Sequence, residues 1–430
     1  MTEPMLQNVG IDWITEIPSS WTLRKAKYLF SQRQSKGNST ELQLLTPSQQ
    51  FGVIPQRLYE ELSGQRTVKL NEKTDLSLLK TVRPGDFCIS LRSFQGGFEY
   101  SNYNGVVSQA YQIFFPKNNN ITCSKFYKYL FKSSCFISKM NSYTLSLRDG
   151  KNIAYKDFSD TYLPVPPLLE QNAIADFLDS KCAEIDALTA DIEKQIETLR
   201  EYKTSVITEA VTKGLDPNVE MKMSGCNWIG QIPKTWTESK VKLHLKKRTV
   251  RNPSPGNTEI LSLYREYGVI PKNSRDDNHN VTSADTSKYL FVRRGDFVIN
   301  KMKAWQGSVA LSSYEGIVSP AYFVYEFISD QLDKQYLHYL LRSCYKDEFR
   351  RLSAGMREGQ WDLSPESFSN LSLILPSLEE QIEISQYLET TLPQIDKLIR
   401  DKGNQIETLA QYKQSLIYEY VTGKKTVPNA

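Results

Sequence analysis

The sequence predicts a duplicated protein of mixed α/β (α+β) class, in which two globular domains are joined by two long antiparallel coiled-coil helices with pseudo-twofold symmetry. Three observations predict this fold. The chain has 430 residues, which is long for a single domain. A series of motifs recurs in the same order about 210 residues later, as from Gln171 to Gln381. A heptad pattern of apolar residues closes each copy.

The internal repeat is carried by short motifs. WITEIPSSW (13–21) returns as WIGQIPKTW (228–236), FGVIP (51–55) as YGVIP (267–271), RPGDFCIS (83–90) as RRGDFVIN (293–300), GVVSQAY (105–111) as GIVSPAY (316–322), and QIETL (195–199) is identical at 405–409. Solenoid units run to about 20–50 residues, so a repeat of this length indicates a duplicated domain. Two equivalent modules in one chain can lie about a pseudo-twofold axis, as in a symmetric dimer.

The two globular domains are predicted at residues 1–165 and 215–375. Each contains short β-like runs, such as 87–90 and 106–115, that are separated by Gly and Asn turns. A helix is predicted near 123–143, with a counterpart near 331–352, because apolar residues recur there on roughly one face. The strand-like sequences TYLPVPP and LSLILPS end the two domains.

The coiled-coil helices are predicted at residues 166–214 and 376–430. Apolar residues recur there every seven positions, which indicates a coiled-coil seam. The residues predicted to pair the helices are Leu178, Ile185, Ile192, Leu199, Val206, Leu388, Ile395, Leu409 and Leu416. In the alternative interpretation, each helix packs only on its own globular domain.

Local features distinguish the second helix from the first. Ser377 and Glu380 are spaced as a capping box at its start. Pro393 predicts a split into a short helix and a long one, and Gly403 costs about 1 kcal/mol in a helix interior. Lys402 occupies a seam position, which leaves the helix pairing open there.

The sequence offers no motif for catalysis. A GxxxxGK[ST] phosphate loop and a GxSxG elbow are both absent. The SPAY sequence at 319–322 is similar to an amino-methyltransferase loop but lacks its second proline. Asp86 and Asp296, in the repeated Gly-Asp-Phe, are candidates either for metal ligands or, as we favour, for turn residues before a strand. The six cysteines form no CxxC pair, so structural zinc and a disulfide framework are not expected.

Charge and hydropathy predict where in the cell the protein is located, but they do not indicate what it binds. The formal net charge of +4 is too small to indicate nucleic acid by itself. The N-terminal residues lack the basic and apolar blocks of a signal peptide, and no apolar run approaches the roughly 20 residues that span a bilayer. Together with reduced cysteines, these features predict a cytoplasmic protein.

The ordered set of motifs resembles the specificity subunits of type I restriction-modification systems. The resemblance rests on the WI..IP..W opening, the GDF segment, G-V/I-V-S-x-A-Y, the Pro-x-Leu-x-Glu-Gln sequences at 166–171 and 376–381, and the QIETL..YK stretch, and it covers essentially the whole chain twice. It implies that each globular part is a target recognition domain for one half of a bipartite double-stranded DNA sequence. It also implies that the paired helices set the spacing between the two halves.

The same resemblance implies partners and cofactors. Two methyltransferase subunits would dock on the helices, and restriction subunits with translocase and nuclease activity would join them. This chain would be a non-catalytic subunit of an adenine-N6 methylating complex. S-adenosylmethionine, ATP and magnesium would then bind to the partner subunits.

Comparison of the two copies separates residues that are identical in both, which are predicted to be structural, from residues that differ, which are candidates for DNA contacts. The shared aromatic pairs Trp21/Trp236 and Phe87/Phe297 are predicted to lie in the cores. Residues that differ between matched loops are predicted to contact DNA, because Arg and Lys suit guanine or phosphate and Gln suits adenine. In the alternative interpretation, these are ordinary exposed loops. The predicted DNA-binding residues are Arg92, Ser93, Gln95, Arg148, Lys151, Lys301, Lys303, Gln306, Arg357 and Gln360.

Two other classes of function stay open at this level. A duplicated coiled-coil scaffold that binds only proteins would fit the same repeat. Strong salt dependence of DNA binding distinguishes it from a DNA-binding subunit, because phosphate neutralisation releases counterions. An autonomous enzyme with an unrecognised site would reveal itself by methylation or cleavage of DNA by the isolated chain.

Overall fold

The chain forms two compact units, each of which combines one globular part with parts of both long helices. The computed structural model describes residues 4–37, 42–67, 79–90, 98–143, 153, 155–253, 258–265, 267–274, 285–354 and 361–428. Unit 1 comprises Met1–Ile192 and Asn404–Ala430, and unit 2 comprises Glu193–Gly403. The boundaries of these two units fall inside the long helices.

The first globular part alternates short strands with short helices. Its elements are β1 (Leu6–Ile11), β2 (Ile14–Pro18), β3 (Thr22–Lys25), α1 (Ala26–Leu29), β4 (Phe30–Arg33), β5 (Leu45–Ser48), β6 (Gly52–Pro55), α2 (Gln56–Ser63), β7 (Lys80–Val82), β8 (Phe87–Ser90), β9 (Glu99–Tyr100), β10 (Gly105–Val107), β11 (Tyr111–Pro116), α3 (Ser124–Leu130), α4 (Ser134–Ser142), α5 (Tyr155–Asp160) and β12 (Tyr162–Val165). The long helix α6 (Leu168–Lys213) follows.

The second globular part repeats this order. Its elements are β13 (Met221–Met223), β14 (Gln231–Pro233), β15 (Thr237–Lys240), β16 (Leu245–Arg248), β17 (Leu261–Tyr264), β18 (Gly268–Pro271), β19 (Leu290–Val292), β20 (Phe297–Asn300), β21 (Val309–Leu311), β22 (Gly316–Val318), β23 (Tyr322–Phe327), α7 (Lys334–Cys344), α8 (Lys346–Leu352), β24 (Ser353–Ala354), β25 (Asp362–Leu363), α9 (Pro365–Ser369) and β26 (Ser372–Leu375). The second long helix is α10 (Leu378–Val421).

The sheets have the same connectivity in both units, which confirms the duplicated fold. A four-stranded antiparallel sheet runs β4-β11-β8-β9 in unit 1 and β16-β23-β20-β21 in unit 2. The hairpin β5-β6 and the pairs β7-β10 and β3-β12 have the counterparts β17-β18, β19-β22 and β15-β26. The motif repeat seen in the sequence is thus a repeat of strand pairing.

The shared aromatic residues lie in the cores, as predicted. Trp21 and Phe87 are buried in the main core of unit 1, and Trp236 and Phe297 are buried in that of unit 2. Trp21 packs edge-on against Phe126 of α3, and Phe87 stacks on Phe114 of β11. Their identity in both copies therefore reflects packing and gives no information about a ligand.

The repeated Gly-Asp-Phe motif is a structural turn and not a metal site. The Asp86 carboxylate accepts hydrogen bonds from Arg33 at 2.7 and 2.8 Å and from the Arg83 backbone N–H at 2.9 Å. Asp296 is bound in the same way by Arg248 at 2.9 Å and by the backbone N–H of the preceding turn at 2.8 Å. Burial raises the pKa of Asp296. Both aspartates lie just before a strand, which confirms the turn interpretation.

A buried glutamine fixes the start of each long helix. The Gln171 amide N–H groups donate to the Ile121 and Pro166 carbonyls, both at 2.8 Å, and its oxygen accepts from the Cys123 N–H at 2.8 Å. Gln381 makes the equivalent bonds to the carbonyls of Gln331 and Pro376, both at 3.1 Å. Because buried polar groups need partners, this network explains the glutamine of the repeated motif.

In unit 1, the beginning of α6 packs against the end of α10. Leu178 and Ile185 share a core cluster with Leu416, Ile417, Tyr420 and Val421. The Asp186 carboxylate lies 2.6 Å from the Lys413 ammonium, and the Phe177 and Tyr420 ring centroids are 4.6 Å apart. Residue numbers rise along one helix as they fall along the other, so the pairing is antiparallel.

Unit 2 contains the reciprocal arrangement. Val206, Ala210 and Val211 share a core cluster with Leu388 and Ile395. Lys203 and Asp396, the repeat equivalents of Lys413 and Asp186, are joined at 2.5 Å. At the seam position held by Lys402, the ammonium donates to the Gln195 side-chain oxygen. Of the nine predicted seam residues, Leu199 and Leu409 are half-buried and the others are buried.

The expected split of the second helix at Pro393 is wrong. Helix α10 is continuous from Leu378 to Val421 and contains Pro393. The ring lies on an exposed face, while Leu388, Leu392 and Ile395 are buried in the core of unit 2. Anchoring on both sides of the proline therefore outweighs the roughly 3 kcal/mol that an interior proline costs.

The predicted capping box at the start of α10 is half correct. The Ser377 hydroxyl accepts from the Glu380 N–H at 3.3 Å, as an N-cap should. The Glu380 carboxylate does not bond back to the Ser377 N–H. It accepts from the indole N–H of Trp236 at 3.0 Å and so ties the helix to the domain core.

The described part of the chain contains no helix that is long and apolar enough to cross a membrane. All six cysteines have free thiols, and Cys88, Cys182 and Cys226 are buried. Among the described residues there is also no group of three or more His, Cys, Asp or Glu side chains that could hold a metal ion.

Leu416→Ala tests whether the C-terminal end of α10 stabilises the core of unit 1. The substitution leaves a cavity in unit 1, and a buried Leu→Ala change costs about 2–5 kcal/mol of the free energy of unfolding. Hydrogen exchange should therefore accelerate in the globular part of unit 1, more than 200 residues earlier in the chain. Val206→Ala is the matched change in unit 2. Faster exchange confined to residues around position 416 would contradict the architecture.

Glu99→Gln tests a buried ion pair of unit 1. Glu99 is buried, lies 2.6 Å from the Lys132 ammonium, and has alanine, Ala310, at the equivalent position of unit 2. Burial raises its pKa from 4.5 to about 7. The folded state therefore binds the proton more tightly, and stability falls as pH rises from about 4.5 to 7.

The glutamine variant should lack this component of the pH dependence. At pH 8 we expect it to exceed the parent in free energy of unfolding, by at most about 3 kcal/mol, because each pKa unit corresponds to 1.36 kcal/mol. Denaturant titrations between pH 5 and 8 measure the difference. Glu16→Gln, on the exposed surface, is the control. Parallel curves for parent and Glu99→Gln would rule out the effect.

Candidate nucleic-acid interface

The site is built on the loop that follows β20. After Asn300 the chain leaves the sheet and makes a 3₁₀ turn at Ala304–Gln306. Gly307 ends this turn with φ of 86°, and a Cβ there would lie 2.9 Å from the Lys346 side chain. Because L side chains rarely adopt this positive φ, glycine is favoured where the loop turns back into β21.

This loop forms one wall of a cavity of about 460 Å³ in unit 2. The other walls come from hairpin β17-β18 and from the segment before β23, the second half of the repeated G-V/I-V-S-x-A-Y motif. The cavity is lined by Ile260, Leu261, Ser262, Lys272, Tyr289, Asn300, Met302, Lys303, Trp305, Gln306, Ser319, Ala321 and Tyr322. Its size and its mixture of aromatic, amide and cationic groups are those of a ligand-binding site.

Two of the predicted contact residues line this cavity. Lys303 is exposed and has no carboxylate within ion-pair distance among the described residues. The Gln306 side-chain oxygen accepts a hydrogen bond from the Arg265 guanidinium at 3.1 Å. Because this bond uses the amide oxygen, it orients the Gln306 NH₂ group as a donor. Lysine and a fixed amide can bind phosphate and base acceptors respectively.

Lys301 has a different environment from Lys303, although both were predicted to contact DNA. Its ammonium lies 3.5 Å from the Asp362 carboxylate, and its backbone N–H and carbonyl bond to Ala321 and Leu363. It does not line the cavity. The partner carboxylate neutralises much of the charge that Lys301 would offer to a phosphate.

A pair of tryptophans stands beside the cavity. The Trp305 indole N–H donates to the Met302 carbonyl at 3.1 Å, which fixes the ring. Its centroid is 5.3 Å from that of Trp361, and the Arg350 guanidinium lies 5.4 Å from the Trp361 ring. Both rings are half-buried, so this wall combines an apolar surface with a nearby cation.

The remaining predicted residues cannot be placed. Arg92, Ser93, Gln95, Arg148, Lys151, Arg357 and Gln360 lie outside the described residues. Of the ten predicted DNA-binding residues, the structure thus locates Lys301, Lys303 and Gln306.

Sequence reasoning missed several members of the site. Arg265 and Lys272 come from hairpin β17-β18, about 35 residues before the loop. The YGVIP repeat marks this hairpin but gives no sign that it faces the loop. Tyr322, whose pKa is raised by burial, belongs to the SPAY sequence that had been compared with a methyltransferase loop. The occurrence of this tyrosine in both copies of the repeat was the sequence feature that could have identified it.

Comparison with known proteins identifies the family. A family model described as the type I restriction modification DNA specificity domain matches residues 68–198 and 252–408. The two matched ranges fall in the two copies of the repeat and together cover more than half of the chain. The chain belongs to the specificity subunits of type I restriction-modification systems.

Individual relatives agree with this assignment. The MjaVIII specificity subunit of Methanocaldococcus jannaschii is 29% identical over 325 residues, which cover 70% of this chain and 71% of that protein. The EcoBI specificity subunit of Escherichia coli is 23% identical over 312 residues, or 68% of this chain and 64% of that one. The similarity thus spans about two-thirds of each relative.

Solved structures share the fold of this specificity subunit. A chain of a type I R-M system superposes with a TM-score of 0.68 at 14% identity, covering 95% of this chain and 99% of that one. The HsdS subunit from Thermoanaerobacter tengcongensis gives 0.55 at 16% identity, covering 95% and 98%. The cavity therefore lies in the second DNA specificity domain of a known architecture.

Lys303→Ala should weaken binding of target DNA more than Lys301→Ala does. Lys303 lines the cavity without an ion-pair partner in the part of the chain that the structure describes, whereas Lys301 is paired with Asp362. We expect losses of about 1–3 kcal/mol for Lys303, or roughly 5–150-fold in Kd, and a smaller loss for Lys301. Fluorescence anisotropy with the target duplex measures both variants. Equal losses, or none for Lys303, would contradict the assignment.

Proposed function

We propose that this specificity subunit binds a bipartite duplex DNA sequence, with each globular domain reading one half. The observation that carries the proposal is the duplication itself: one DNA specificity domain occurs twice in the chain, on identical strand connectivity. The loops after the equivalent strands β8 and β20 carry different side chains. A shared scaffold with unlike loops is suited to two unlike half-sites.

Each domain would bind DNA with a division of roles among its side chains. Lys303 and Lys272 would contact phosphates, which positions the domain without regard to sequence. The NH₂ group of Gln306, oriented by Arg265, would contact a base acceptor. The tryptophan pair would form an apolar wall beside that base. The ion-paired Asp296 and Arg248 would hold the strand from which the loop departs.

The two long helices would set the spacing between the half-sites and bind the partner subunits of the restriction-modification complex. A rigid element is needed to fix a spacing in base pairs, and the helices would supply it through their antiparallel packing and ion pairs. Two methyltransferase subunits would dock on them, and restriction subunits would complete the complex. The chain would itself be non-catalytic, and S-adenosylmethionine, ATP and magnesium would bind to its partners.

Salt dependence of DNA binding tests the proposal against a scaffold that binds only proteins. The complex of this chain with its methyltransferase subunit should bind target DNA with an affinity that falls steeply with salt, by about 10³–10⁵ between 50 and 200 mM if six to ten phosphates are contacted. Lys303→Gln should reduce the slope of log K against log salt by about one. A stable complex without salt-dependent DNA binding would favour the scaffold. DNA methylation or cleavage by the isolated chain would instead show an enzyme.

A further inference from the structure

An open groove lies on the helices of unit 2, beside a position where the two units carry different residues. Its volume is about 640 Å³, and it is lined by residues of α6, by the segment that follows α6, and by Tyr387 of α10. Tyr387 and Tyr202 are 40% and 53% exposed. Single exposed aromatics are common, so exposure by itself does not identify a site. A binding site is indicated instead by the comparison of equivalent residues in the two units.

Unit 1 has the same helix pairing with an aromatic ring in this position. The repeat places Phe177 where unit 2 has Tyr387, and Tyr420 where unit 2 has Ala210. The Tyr420 ring packs on Phe177 with centroids 4.6 Å apart and is only 6% exposed. Ala210 has no ring, so Tyr387 lacks the aromatic neighbour that its counterpart has. The groove of unit 2 is thus lined by Ala210 at the repeat position where unit 1 has a buried tyrosine.

The charges at the groove indicate the chemistry of what would occupy it. Glu209 and Asp216 line it together with Lys213, and Glu201 lies in the adjoining depression along the same helix. In unit 1 the equivalent of Glu209, Glu419, is paired with Lys425 at 2.9 Å. Glu209 has no such ion pair among the described residues. An occupant should therefore bring an aromatic ring and a neighbouring Lys or Arg.

We propose that this groove in unit 2 binds an aromatic side chain, flanked by a basic residue, of one methyltransferase subunit. The inference rests on the proposed function, in which methyltransferase subunits dock on the helices. It adds that the two docking positions are not equivalent. The subunit at unit 2 inserts an aromatic anchor, and the position at unit 1 is already occupied by Tyr420 of this chain.

Ala210→Tyr closes the groove with the residue that unit 1 uses. The methyltransferase subunit is titrated into the full chain, and bound subunits are counted by native mass spectrometry with stepwise Kd values from calorimetry. The unaltered chain should bind two. The variant should weaken one binding step by roughly tenfold or more, as expected for loss of a buried anchor, and leave the other step unchanged. Two unchanged steps in the folded variant would overturn the proposal.

Glu209→Lys provides a second test that does not enter the core, since Glu209 is exposed. Reversal of its charge should weaken the same step. Glu193→Lys is the matched control, because Glu193 is also exposed on α6 but lies 16 residues earlier, about 24 Å along the helix. If Ala210→Tyr does not fold, Glu209→Lys decides, and equal effects of the two lysine variants refute the groove.

The same titration separates this proposal from the proposed function. If the unaltered chain binds no methyltransferase subunit, the docking role of the helices is refuted, and the groove proposal with it. If it binds two subunits and both variants do so with unchanged affinity, only the groove proposal fails. Self-association of the unaltered chain that is abolished by Ala210→Tyr would show that a second copy is the occupant instead.

Discussion

The structure depends on the burial of each long helix's C-terminal end in the core of the other copy's unit. The end of α10, with Leu416 and Val421, completes the core of unit 1, and the end of α6, with Val206 and Val211, completes that of unit 2. A buried leucine contributes about 2–5 kcal/mol when judged by truncation to alanine, so several such residues account for a substantial part of a unit's stability. Unit 1 is therefore built from two separate segments of the chain, whereas unit 2 is one continuous segment that contains the end of α6 and the beginning of α10.

The two copies show which parts of the fold are constrained by packing and which are free to vary. The Arg-Asp pair at each turn before the central strand, the glutamine at the start of each long helix and the Lys-Asp pair between the helices all occur twice. These groups are buried or bridge elements, so a change in one copy would leave a polar partner unsatisfied. The loops after β8 and β20, in contrast, differ in sequence. Divergence on a fixed scaffold is what a reader of two unlike half-sites requires.

Much of the fold could be predicted because it repeats. The motif series gave the duplication, the heptads gave both helices, and shared aromatics such as Trp21 gave core positions. The predicted helix break at Pro393 was wrong because the tertiary packing of apolar residues on both sides of the proline outweighed the cost of a proline inside a helix. The unit boundaries inside the helices could not be predicted, since a heptad pattern does not say which domain an apolar face covers.

The candidate site was predictable only in part. Lys303 and Gln306 were found because they differ from the other copy in a loop at a strand end. Lys272, which lines the cavity, and Arg265, which donates to Gln306, were missed because they lie about 30–35 residues before the loop in sequence. The different environments of Lys301 and Lys303 also depend on a non-local contact, with Asp362. Side-chain pairing of this kind is invisible in a single sequence.

Methylome sequencing tests the central claim most directly. This chain is expressed with its methyltransferase subunit in a host that lacks other adenine methylation, and methylated positions are mapped across the genome. The account predicts one asymmetric bipartite motif with a fixed gap. When the globular part of unit 2 is replaced by that of another specificity subunit, one half of the motif should change and the other half and the gap should persist. A stable complex that methylates no bipartite motif, or a replacement that alters both halves, would contradict the account.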